Sequence, residues 1–214
     1  MANGGVPSRD MVEAECHRLG HKLGWRFLTC PERNIEIATV AMVTANPGGD
    51  KFEEPRWSVE KGCAYVIESW KDFPAGNQKL QLQVRRMFQI MNVKPEEALS
   101  GYLVPFRSPS WEDLDMKSDS ICFGVDAWRE VFRRTNVKTV VAFGKEIACH
   151  MTDILKAAPC SEHLARWGKQ TIDVSRFGTG GRLIVLPHLS RFTLFNRPDP
   201  KPSEDAFRAA LAEI

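Results

Sequence analysis

The sequence predicts an α/β protein of three layers, with helices on both faces of a short central parallel sheet. Apolar, β-branched runs of strand length recur at Ile35 to Val43, Tyr102 to Phe106, Val137 to Phe143 and Leu183 to Leu186. Segments with apolar residues at helical spacing alternate with them, and that alternation implies a parallel sheet covered on both sides. There is no repeat or low-complexity linker. The 214 residues, 43% of them hydrophobic, suffice to bury one full core, so 1–214 reads as a single domain.

Asp10, with Glu13 three residues later, is expected to open a first helix whose apolar positions are Val12, Cys16, Leu19 and Leu23. Ile35 to Val43 follows as the first strand. Trp57 to Trp70 is expected to be partly helical. Lys79 to Met91 is more clearly so, with Leu80, Val84, Met87, Phe88 and Met91 on one face. Tyr102 to Phe106 is a strand ending in Arg107-Ser108-Pro109-Ser110. Val125 to Arg134 is a helix with Trp128, Val131 and Phe132 inward, Val137 to Phe143 a strand, and Gly144 to Leu155 a helix. Leu183 to Leu186 is the last strand. Pro202-Ser203 introduces a terminal helix carrying Ala206, Phe207, Ala210 and Leu211.

Twenty-nine basic against twenty-seven acidic residues give a formal charge of +2, which neither demands nor excludes a nucleic-acid partner. The first thirty residues hold no apolar stretch of signal-peptide length and later apolar runs are strand-sized, so the expectation is a cytoplasmic protein without a membrane span, nucleoid-associated if bacterial. Cysteines 16, 30, 63, 122, 149 and 160 contain no C-x-x-C pair. Cys16, Cys122, Cys149 and Cys160 lie in or beside apolar patterns, which predicts reduced, mostly buried thiols and no metal site.

Chemistry concentrates in two loops. Thr44-Ala45-Asn46-Pro47-Gly48-Gly49-Asp50 follows the first strand, and Leu186-Pro187-His188-Leu189-Ser190-Arg191-Phe192 follows the last. Both are expected at the carboxyl edge of one sheet, where open α/β folds bind ligands. An amide and an imidazole delivered there suit a hydrolysis in which one group orients a water and the other stabilises charge on the leaving group.

The order β-(x-x-Asn-Pro-Gly), helices, β-(x-x-x-Arg-Ser-Pro), helix, β-(Phe-Gly-Lys), β-(Leu-Pro-His-x-Ser) resembles the uracil-DNA glycosylase superfamily across roughly residues 35 to 195. Thr44 to Gly48 is similar to the first motif of the mismatch-specific and single-strand-selective branches, with Thr44 replacing a leading glycine. Val140 to Lys145 is similar to the third strand and its Gly-Lys turn. His188-Leu189-Ser190 matches the second motif except that Leu189 replaces a proline.

The resemblance implies a monofunctional DNA glycosylase domain that hydrolyses the N-glycosidic bond of uracil in DNA, as a monomer and without metal or organic cofactor. Asn46 would hold the water, and His188 would donate to the base as its negative charge develops. Phe192, four residues after the histidine, would fill the gap left by the flipped base, flanked by Arg191. Ser190, Lys145, Arg107 and Ser108 would contact phosphates as exposed donors. Ala45, Pro47, Gly48, Trp57 and Tyr102 would line the base pocket, Trp57 as its stacking floor.

Two departures bear on selectivity. Tyr102 stands where some branches carry an asparagine that reads uracil, and Gly48 stands where one branch carries a tyrosine that excludes thymine. Tyr102 removes the amide that would select uracil, and Gly48 suggests a roomier pocket that also admits other deaminated bases, such as xanthine or hypoxanthine. The iron-sulfur branch needs four suitably spaced cysteines that this chain lacks. Two other readings stand beside this one: an inactive nucleotide or damaged-DNA binding module of the same fold, and a flavodoxin-like binder, against which the missing longer glycine-rich phosphate loop counts.

Overall fold

In the computed structural model, which describes residues 7–213, helix α1 (Arg9–Leu19) is capped two residues before the expected position. The Ser8 hydroxyl accepts the Met11 N–H at 3.3 Å and takes the N-cap role assigned to Asp10. Val12, Cys16 and Leu19 are buried, whereas Leu23 lies beyond the helix and is half-buried.

The run expected as one strand from Ile35 divides. Asn34–Ile37 is a helical turn, α2, and strand β1 is Val40–Thr44. The buried Asn34 amide causes the division: its Nδ2 donates to Glu96 O and Ala98 O at 2.9 and 2.8 Å, fastening the turn to the chain that enters the next strand. That strand, β2, is Leu99–Tyr102, upstream of the expected Tyr102 to Phe106. Leu103 and Val104 still donate to Thr44 O and Ala45 O, at 2.7 and 2.9 Å, so the segment after β2 keeps company with the loop after β1.

Helix α3 (Ala64–Ile67) is one turn, and α4 (Lys79–Met91) has the expected limits, set by a capping box at Gln78 and a left-handed Asn92. Helix α5 (Lys117–Arg134) begins eight residues before the expected Val125. A Cβ on its Gly124 would collide with Leu103 O, so only glycine lets this helix lie so close to the chain after β2. Strand β3 is Thr139–Phe143; a 3₁₀ turn (Lys145–Ile147) and α6 (Ala148–Leu155) follow.

Two strands were not expected: β4 (Ala158–Leu164) and β5 (Thr171–Phe177) precede β6 (Gly181–Leu186) and the closing helix α7 (Lys201–Ala212). The sheet order is β2-β1-β3-β6-β5-β4. Strands β2, β1, β3 and β6 are mutually parallel, β5 pairs antiparallel with β6 and β4 antiparallel with β5, so the sheet is mixed where a wholly parallel one was expected. The Ile172/Val174 alternation before a Gly178-Thr179-Gly180 turn was a legible hairpin signal. Edge strand β4 is largely exposed and carries no such alternation.

Side chains alternate across the strands into two cores. Ala41, Val43, Val140, Ala142, Leu183 and Val185 pack with α1, α5 and α6; Met42, Val141, Phe143, Ile184 and Leu186 pack with α3, α4 and α7. This is the three-layer α/β/α arrangement. All six cysteines are free, but only Cys16, Cys30 and Cys63 are buried; Cys122, Cys149 and Cys160 are exposed, on outward positions of α5, α6 and edge strand β4. Burial pushes the Cys30 thiol up to about 11 and that of Cys63 to about 12, which leaves both inert. No helix among the described residues is long and apolar enough to cross a membrane.

Candidate active site

Thr44, Phe143 and Leu186 are register partners across β1, β3 and β6, so Asn46 and His188 each stand two residues beyond the same level of the sheet. With β3 between them, two strand spacings separate their backbones, roughly 10 Å, which is room for a ligand. The expectation that both loops share the carboxyl edge therefore holds. No hydrogen bond joins Asn46 to His188 among the described residues.

The Asn46 amide has one orientation. Its Nδ2 donates to Ser108 Oγ at 2.7 Å and to Pro47 O and Phe106 O at 3.3 Å. Ser108 spends its only hydroxyl hydrogen on Ser110 O at 2.5 Å, so toward Asn46 it can only accept. The Asn46 Oδ1 therefore faces away from these partners and has none among the described residues, which leaves an acceptor for a water. Ala45 and Pro47 are buried beneath it, and Gly48 is exposed with open space where a side chain would stand.

His188 has one tautomer. The Ser190 N–H donates to its Nδ1 at 3.3 Å and Ser190 Oγ lies 2.7 Å from the same atom, so in the neutral ring the proton sits on Nε2, free to donate to a ligand. Burial holds the imidazole below its ordinary value of 6.5; Glu146 opposes this and Arg191 adds to it. The loop itself is a tight turn, with His188 O accepting from Arg191 N at 2.9 Å and Phe192 N at 3.0 Å.

Gln83 holds that turn in place, a role not expected from the sequence. It is fully buried on α4, where its Nε2 donates to Leu189 O and its Oε1 accepts Phe195 N at 3.1 Å. A signal existed: Gln83 lies three residues after Leu80 and four before Met87, a polar residue on an apolar face. Leu189 is fully buried in the core on that side.

Several expected DNA contacts are placed otherwise. Arg107 is not an exposed donor: its buried guanidinium bonds Gly48 O and pairs with Glu53, making it a strut that braces the Asn46 loop. Ser108 is likewise buried and orients Asn46. Both are pulled inward because the chain after β2 zips to the loop after β1, with Ser108 N on Pro47 O at 3.2 Å and Gly49 N on Ser108 O at 3.0 Å. Lys145 is partly exposed but pairs with Asp173 and bonds Thr171 Oγ1 at 3.0 Å. Ser190 and Arg191 are exposed. Arg191 lies 3.6 Å from Glu112, so the loops after the outer parallel strands β2 and β6 meet. Phe192 is half-buried against the core beneath it.

The expected pocket aromatics also differ in setting. Half-buried Trp57 stacks on Phe27 at 5.0 Å, and Phe27 meets Trp128 at 5.5 Å in a tilted contact, so one face of Trp57 is joined to the aromatic side of the core. Tyr102 is buried beside Thr44, and burial raises its phenol above the ordinary range. A cavity of about 670 Å³ lies between β4 and α7, lined by His163, Arg166, Asp199 and Lys201. Another, about 400 Å³, lies beside Ser108 and His21. Neither includes Asn46 or His188.

The chain matches no protein-family model, and a search of curated proteins finds no match.

Proposed function

We propose that this protein is a monofunctional DNA glycosylase that hydrolyses the N-glycosidic bond of uracil, and of other deaminated bases, in DNA, the first step of base excision repair. One observation carries the reading. A committed amide with a free acceptor oxygen and a neutral imidazole with a free N–H stand at one level of the sheet edge, about two strand spacings apart. Cleaving this bond builds positive charge on the sugar and negative charge on the base, so it needs a held water on one side and a donor on the other. The motif order seen in the sequence supports the same assignment. Exposed Ser190 and Arg191 are the remaining candidates for phosphate contact, and Phe192 for the wedge.

The test is incubation of the full chain with a uracil-containing oligonucleotide, followed by hot alkali. Strand breaks at uracil support the enzyme; retention of the oligonucleotide without breaks would instead establish a binding module. Asn46→Ala is expected to slow single-turnover cleavage about tenfold while changing DNA affinity little, because water positioning acts chiefly on the transition state. A loss confined to affinity would reduce Asn46 to a loop residue. The open space at Gly48 leads to a selectivity prediction. Wild type is expected to release at least one deaminated purine besides uracil, and Gly48→Tyr to suppress the purine first. Unchanged selectivity on a panel of uracil, xanthine, hypoxanthine and thymine opposite guanine would show that another segment closes the pocket.

A further inference from the structure

Glu146 is the one acidic residue in the turn after β3, the strand between those that deliver Asn46 and His188. Two residues earlier, the Gly144 N–H donates to Leu186 O at 2.9 Å, so this turn is tied to the end of β6, two residues before His188. The Glu146 side chain folds back over Gly144: its Cδ, Oε1 and Oε2 all lie 2.5 Å from where a Cβ on Gly144 would stand. A glycine with φ of 100° is what permits that approach. Lys145, one residue earlier, is drawn the other way, onto Asp173 and Thr171 of β5. Among the described residues the Glu146 carboxylate has no hydrogen bond or ion pair, yet it is half-buried and its charge is felt at His188. An unpaired carboxylate at such a position calls for a cationic partner.

We infer that Glu146 is a catalytic residue whose carboxylate faces the sugar of the bound nucleotide and stabilises the positive charge that develops there. The inference rests on the glycosylase reading. Asn46 on one strand end orients the water, His188 on another meets the base, and Glu146 comes from the strand end between them, where the anomeric carbon must lie. The step balances without a change in Glu146. The C1′–N bond breaks with its electron pair on the base, the water oxygen bonds C1′, and the water's proton passes to the base anion. An uncharged Asn46 supplies no countercharge, so a carboxylate from the neighbouring strand fills that role.

The experiment compares binding of duplex DNA carrying a cationic pyrrolidine abasic analogue with DNA carrying its neutral tetrahydrofuran counterpart. Wild type is expected to prefer the cation about tenfold or more, and Glu146→Gln to bring the two analogues to near parity with neutral-analogue affinity retained. Glu146→Asp, which keeps the charge, is expected to keep part of the preference. A preference that survives Glu146→Gln, a wild type without any preference, or loss of neutral-analogue binding by both variants would overturn the inference while the glycosylase reading stands. Failure of wild type to bind either analogue better than undamaged duplex would instead sink that reading itself.

Discussion

His188→Ala is expected to cut single-turnover release of uracil by about 10²-fold or more, because a lost donor to developing negative charge typically costs that much. Thermal melting should shift little, since the imidazole's bonds are local ones to Ser190 and the loop is held by main-chain and Gln83 contacts. Undiminished turnover removes His188 from the chemistry. The pH profile adds a second readout. Protonation puts a hydrogen on Nδ1 against the Ser190 N–H, so the neutral ring is the organised form. Folding lowers the proton affinity of His188, so activity should persist through the ordinary value of 6.5 and fall only at lower pH. The stability this group contributes is present above 6.5 and is lost as pH drops from there toward its folded value. Arg191→Ala, which removes one lowering influence, should move the acid limb up in pH. An acid limb that Arg191→Ala leaves in place, or moves down, contradicts the assignment of that limb to His188.

Gln83→Leu is expected to destabilise the fold by about 3 kcal/mol, since it strands two buried backbone groups, Leu189 O and Phe195 N, each costing roughly 1–3 kcal/mol. For a chain of this size that corresponds to a fall in Tm of roughly 6–12 °C. Activity should fall more steeply than stability below the melting range, because the His188 turn loses its anchor to α4 and the imidazole its placement. Leucine fills nearly the same volume, so a cavity does not explain such a loss. A variant that melts like wild type and cleaves at full rate would show that the turn is held by its own main-chain bonds.

Local pattern was enough to determine much of this protein. Helix α4 has the limits that its periodicity implied, and the strands supplying the site, β1, β3 and β6, lie within or across the apolar runs that announced them. Those signals are legible because burying one face of a helix or both faces of a central strand constrains neighbouring residues directly. The placement of Asn46 and His188 at one sheet edge followed from the same pattern.

Tertiary structure alone decided what the polar side chains do. Arg107 and Ser108 read as exposed donors, yet they are buried behind Asn46, because the chain after β2 runs alongside the loop after β1. Asn46 takes its orientation from a serine 62 residues away, and the His188 turn is anchored by a glutamine 106 residues from its partner Leu189. The Glu146 carboxylate gains meaning only once β3 is known to lie between β1 and β6. A hydrogen bond is satisfied by whichever group the fold brings within 3 Å, and no local periodicity records that partner.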